Sequence, residues 1–172
     1  MAGYVIHLAV GEEYLRNYPN EIKKYEDFIE GIIYPDSVTD KSLTHFGPKS
    51  SQPNLREFFN KRDINEDFDK GYFLHLVTDY LFYNKFLSIF SKKYIYTDYD
   101  ILNKELQEIF QVKIPEQVKD KVFYETGKTK ILNLEETIEF IRKTAKYNLN
   151  DIKKAVLRGD KFWLEIRPLK RI

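Results

Sequence analysis

Gly71-Tyr72-Phe73-Leu74-His75-Leu76-Val77-Thr78-Asp79-Tyr80-Leu81-Phe82-Tyr83 is apolar or aromatic at nearly every position, yet it carries a histidine and an aspartate four residues apart. At helical spacing, residues i and i+4 lie on one face. Gly71, His75, Thr78 and Asp79 then fall on one arc of roughly 100°. A helix that is apolar nearly all round is a buried central helix. A buried carboxylate is costly unless something pairs with it. A hydrogen bond between His75 and Asp79 would do so, and a metal ion would satisfy both groups at once.

Outward from this stretch the pattern stays helical, because glycine and proline are scarce (7 and 6) and strand-like alternation is nearly absent. The central helix is predicted from near Asn65 towards Ser91. Before it, one helix covers Tyr4 to Asn17 and stops near Pro19. A second runs from Asn20 to Ile33, with Ile22, Tyr25, Phe28, Ile29 and Ile32 at helical spacing. The turn-forming cluster Tyr34-Pro35-Asp36-Ser37 ends it. Residues 34–53 form a long polar connection of the kind that is often functional. A short helix spans Asn54 to Lys61.

Further on, Asp98 to Gln111 reads as a helix with Ile101, Leu102, Leu106, Ile109 and Phe110 inward. A short helix spans Pro115 to Phe123, and Gly127 marks a turn. Asn133 caps a helix to Tyr147, and Asn150 begins one to Arg158 that Gly159 ends. Phe162 to Ile166 reads as extended. The expectation is an all-α chain: one helical metal-binding domain over residues 1–172, a multi-helix bundle around a long buried central helix.

Composition narrows the chemistry. Cysteine is absent, which excludes a disulfide framework, a zinc ribbon and a thiol nucleophile. Any metal must be held by His, Asp and Glu, with a chain terminus as a further candidate ligand. The net charge of +1 gives no electrostatic footprint for nucleic acid. The chain's beginning lacks a basic and then apolar leader pattern. The stretch Tyr72–Phe90 is interrupted by His75, Asp79, Asn84 and Lys85, so it does not read as a transmembrane span. A cytoplasmic protein is the default expectation.

Only three histidines occur, and all lie in the first 75 residues. Gly3, His7 and Gly11 share one helical stripe, and Gly71 lies one turn before His75. A glycine inside a helix costs about 1 kcal/mol relative to alanine. Its use beside a histidine points to a chain segment or ligand that must come close. Taken singly, each residue has a plainer reading. His7 is a hydrogen-bonded helix histidine, His45 a loop residue, Asp36 a turn former and His75/Asp79 a hydrogen-bonded pair.

Together, His7, the turn Gly31-Ile32-Ile33-Tyr34-Pro35-Asp36-Ser37, the loop Lys41-Ser42-Leu43-Thr44-His45-Phe46 and the His75/Asp79 helix form a pattern. It resembles the zinc-dependent phospholipase C family, which shares its fold with the S1/P1-type nucleases, over about residues 4–83. The resemblance implies a bundle of that type and a hydrolase that attacks a phosphoester with a metal-activated water. It implies that Asp36, His45, His75 and Asp79 ligate one metal. His7 would ligate a second, with Asp79 bridging; Asp36 could instead orient the water as a base. Imidazole with carboxylate suits Zn²⁺, one or two ions, with Fe²⁺ or Mn²⁺ as alternatives. The implied substrate is a small phosphoester or a phospholipid-like molecule.

Two departures bear on this. The family's metal-ligating terminal tryptophan is not matched by Met-Ala-Gly, and no histidine follows His75 to build the family's third site. The alternative function is a non-catalytic helical binding or scaffold protein with a structural metal. An HD-type phosphohydrolase would need an adjacent His-Asp pair, which this sequence does not contain.

Overall fold

The computed structural model describes residues 2–172. The helical expectation holds among them. In chain order they form α1 (Tyr4–Asn17), α2 (Tyr25–Ile33), a 3-10 turn (Tyr34–Asp36), α3 (Ser42–His45), α4 (Leu55–Lys61) and α5 (Asp67–Leu81). A π-helical turn (Phe82–Phe86) follows, then β1 (Ile89–Phe90), α6 (Lys92–Phe110), a 3-10 turn (Glu116–Lys121), α7 (Leu134–Lys146), α8 (Leu149–Arg158), α9 (Lys161–Leu164) and β2 (Lys170–Arg171). The two short strands pair in parallel, with Ile89 opposite Lys170. No helix among the described residues is long and apolar enough to cross a membrane.

The central helix is α5, buried at every position from Gly71 to Leu81. Its nearest neighbour is α2, and glycine sets their separation. A Cβ at Gly71 would lie 2.0 Å from the Phe28 carbonyl oxygen, and one at Gly31 would lie 1.9 Å from the Phe68 carbonyl oxygen. The two backbones touch where any side chain would hold them apart.

Several boundaries differ from the sequence expectation for tertiary reasons. α2 begins at Tyr25, not Asn20, because residues outside it hold the preceding segment. Asp67 Oδ2 accepts the amides of Lys23 (3.1 Å) and Lys24 (2.8 Å), and Lys70 donates to the Glu21 carbonyl. The central helix stops at Phe86 rather than near Ser91. Asn84 donates its side-chain amide to the Tyr80 carbonyl at 3.0 Å, competing with the backbone ladder as the helix widens. α6 starts at Lys92, ahead of Asp98, and buries Ile95; Ile109 is exposed. Phe162–Ile166 is not extended. It opens with the helical turn α9, held by the Tyr80 hydroxyl, which donates to the Phe162 and Glu165 carbonyls.

Candidate metal centre

His7 from α1, Asp36 from the 3-10 turn, His45 from the end of α3, and His75 and Asp79 from α5 converge in the core, none more than 6% exposed. Asp79 is the hub. Its Oδ1 lies 3.0 Å from His7 Nε2 and accepts the Ala2 amide at 2.9 Å. Its Oδ2 lies 3.1 Å from both His45 Nε2 and His75 Nε2. Asp36 faces the same nitrogens less closely: Oδ1 is 3.6 Å from His45 Nε2, and Oδ2 is 3.6 Å from His75 Nε2 and 4.0 Å from His7 Nε2. The His7 and His75 rings stack, with centroids 3.7 Å apart.

The second ring nitrogens decide what these contacts mean. His75 Nδ1 lies 2.6 Å from the Ile32 carbonyl, and His45 Nδ1 lies 2.9 Å from the Lys41 carbonyl. A carbonyl only accepts, so each Nδ1 carries a proton and donates it. In a neutral imidazole the Nε2 lone pair then points at carboxylate oxygens. Two buried carboxylates facing lone pairs repel unless a positive charge stands between them, either protons or a metal ion. Both Asp36 carboxylate oxygens and His75 Nε2 lack a hydrogen-bond partner, although all three are buried. An imidazole anchored through its second nitrogen to a backbone carbonyl is the usual support of a metal ligand.

The spacing fits such an ion. Metal–ligand distances of about 2.0–2.1 Å give a tetrahedral edge of about 3.3 Å, and the N···O separations here run from 3.0 to 4.0 Å. His7, Asp36, His75 and Asp79 each offer one ligand atom within 4.8 Å of all the others. These four can hold a metal ion. His45 Nε2 adjoins them through Asp36 Oδ1 and Asp79 Oδ2.

Electrostatics sort the groups. Burial alone would lower the His75 pKa, but the charges of Asp36 and Asp79 outweigh it and raise it to about 9. His7 is pushed down by burial and by the neighbouring His75. Burial favours the neutral acid for Asp36, yet His75 holds it below the ordinary carboxylate range. Asp79 lies well below that range too, because its charged neighbours, His75 among them, overcome its burial. Without a metal, one proton therefore resides on His75 between the two carboxylates. Burial also keeps the phenols of Tyr83 and Tyr99 protonated.

Local structure positions each ligand. Gly3, at φ 85° and packed on the Tyr99 ring, turns the chain so that the Ala2 amide reaches Asp79. Thr44 Oγ1 donates to the Pro35 carbonyl, tying the Asp36 turn to the helix that carries His45. The Tyr72 hydroxyl donates to the Thr44 carbonyl at 2.6 Å. Phe46, left-handed at φ 58°, ends that helix and stacks on Tyr72. Sequence reasoning named the five side chains but missed the Ala2 amide and the carbonyls of Ile32 and Lys41. Gly31 was the available signal for Ile32, since it lets the α2 backbone lie against α5. No residue beyond Asp79 joins the group that can hold a metal, among those described. Compared with family models, with curated proteins and with solved structures, the chain matches none.

Proposed function

We propose that this chain is a metal-dependent phosphoester hydrolase of the zinc-dependent phospholipase C kind. The supporting observation is the donor set: three imidazoles and two carboxylates around Asp79, which all three imidazoles approach. Structural zinc sites are built largely on thiolates and close at four ligands, whereas catalytic sites favour imidazole and carboxylate with a position left for water. Asp79 directs one oxygen to His7 and the other to His45 and His75, as a carboxylate bridging two ions would. In this reading Asp36, His45, His75 and Asp79 hold one ion, and His7 with Asp79 holds the second. Zn²⁺ suits these donors, with Fe²⁺ or Mn²⁺ as alternatives.

A metal bound there supplies a water of lowered pKa and polarises a phosphoryl oxygen. If Asp36 does not itself ligate the ion, its oxygens, which have no hydrogen-bond partner, would be the groups to orient such a water and accept its proton. The Nδ1 bonds of His45 and His75 hold their rings to one orientation. The substrate class is a small phosphoester or a phospholipid-like molecule.

One observation favours a second reading, a structural metal in a non-catalytic binding or scaffold protein. The five side chains are almost wholly buried, and a metal there would staple α1, the Asp36 turn, α3 and α5. Elemental analysis of protein purified without chelator, followed by assays on phosphomonoesters, phosphodiesters and phospholipids, separates the two. Bound metal with turnover that His75→Ala abolishes supports the hydrolase. Bound metal without turnover on any of these supports the staple. No metal, and none taken up on reconstitution, refutes both.

A further inference from the structure

A cavity of about 60 Å³ is lined by Lys49, Ser51, Gln52, Tyr83, Arg167 and Arg171 among others. No carboxylate lines it. The ion pairs of the described residues involve other cations. In a chain of net charge +1, with 27 acidic residues to spread among 28 basic ones, three unneutralised cations at one small cavity are a local excess. Two of the three are held by neutral partners that leave their charge intact. Arg167 donates to the carbonyls of Tyr83 and Leu87, and its own amide donates to the buried side chain of Asn84 at 2.7 Å. The Arg171 guanidinium lies over the Phe90 ring, 4.7 Å from its centroid.

Two of its lining residues follow cluster residues closely along the chain. Tyr83 follows Asp79 by one helical turn, and Lys49 lies four residues after His45 in a loop whose Gln52 amide donates to the Lys49 carbonyl at 2.9 Å. Glycine keeps that loop tight, since a Cβ at Gly47 would lie 1.9 Å from the Gln52 carbonyl oxygen. A water occupies about 30 Å³ of liquid, so the space suits two waters or one tetrahedral oxyanion. Guanidinium groups and an ammonium around such a space make the charge-assisted bonds that phosphate accepts.

We propose that this cavity is an oxyanion subsite that takes a phosphate group of the substrate other than the one cleaved, with Lys49 and Arg171 as its binding charges. Phosphate binding itself stands alone; its place in substrate recognition rests on the hydrolase reading. The substrate would then carry at least two phosphate groups, and the subsite would fix the distance between them.

The test is titration of inorganic phosphate into the metal-loaded protein, followed by NMR at the backbone amides of Ser51, Gln52 and Arg171. Saturable shifts are expected there, with affinity weakened about tenfold by Lys49→Gln and again by Arg171→Gln. Circular dichroism and metal content of the variants confirm that fold and cluster persist. Absence of saturable shifts, or equal affinity in the double variant, overturns the proposal. Glycerol 3-phosphate and phosphatidylcholine vesicles containing phosphatidic acid identify the source. Binding of the first supports a soluble phosphate ester, sedimentation with the second supports a lipid headgroup, and failure of both overturns the subsite's place in substrate recognition. Phosphate binding without hydrolysis would remove the hydrolase reading and leave the subsite. Hydrolysis without phosphate binding would do the reverse.

Discussion

Alanine at Gly71 is expected to force α2 and α5 apart and to weaken the metal centre by the same movement. The new Cβ would lie 2.0 Å from the Phe28 carbonyl oxygen and 3.0 Å from the Ile32 amide nitrogen. Real Cβ contacts stay beyond 3.0 Å, so the helices must separate by at least about 1 Å. The obstructing atoms are backbone, so no rotamer change relieves them. Overpacking of this kind costs about 1–3 kcal/mol, and the better helix propensity of alanine offsets about 1 kcal/mol. The middle of that range leaves a net loss of about 1 kcal/mol, a fall of about 2–4 °C in melting temperature for a chain of this size.

The site should register the movement directly. His75 Nδ1 bonds the Ile32 carbonyl at 2.6 Å. A shift of about 1 Å along that line carries the pair to roughly 3.6 Å, outside hydrogen-bond range. Loss of such a support costs about 10–100-fold in metal affinity. Gly11→Ala is the control. Its Cβ would meet the end of the Ile32 side chain at 2.3 Å, which rotation can relieve, so its stability should stay within about 1 kcal/mol of wild type. Thermal unfolding and zinc titration against a competing chelator measure both effects. A Gly71→Ala protein that melts with wild type and binds zinc as tightly refutes the reasoning.

Four other outcomes are expected. Zinc at about a thousandfold its dissociation constant should raise stability by about 4 kcal/mol, visible as a chelator-reversible melting shift of about 8–16 °C that His75→Ala removes. Zinc affinity should climb about tenfold per pH unit up to about pH 9 and flatten above it, because the ion must displace the proton on His75, whose pKa is about 9; a chelator competition that is flat between pH 7 and 9 would count against that proton. In the metal-free protein the same raised pKa contributes stability that is complete below 6.5 and lost as pH rises towards 9. Asp98→Ala should destabilise the chain by about 3 kcal/mol or more without changing metal content, since its carboxylate accepts the amides of Lys130, Ile131 and Leu132; urea unfolding beside elemental analysis checks both halves.

Asp98 also shows where sequence reading stops. It lies within a stretch read as helical, and nothing local distinguishes an aspartate on a wet face from one that anchors a loop 32 residues away. Ile101 and Ile109 fit the inward pattern of the same helix, yet Ile109 is exposed, because the stripe that packs runs through Ile95, Leu102, Leu106 and Phe110. By contrast, Asn133 caps α7 with its side chain and Gly159 closes α8 at φ 85°, as the sequence indicates, although α8 is capped by Asn148 rather than opening at Asn150. Caps and turns depend on a few neighbouring residues, so they are legible from sequence.

For the metal centre, the sequence alone determined that α5 would be buried and would carry His75 and Asp79 on one face, because helical period and apolar composition are local properties. It also confined any metal to imidazole, carboxylate and chain-terminal donors. The tertiary structure decided that Asp36 and His45 leave their connection for the core, and that backbone carbonyls of Ile32 and Lys41 aim the imidazoles at two carboxylates. It also set Lys49, Arg167 and Arg171 around one cavity. The physical reason is common to all three: a charge's partner, and hence its role, comes from segments distant in the chain. His45 meets Asp79 across 34 residues, and only tertiary packing brings such segments close enough to interact.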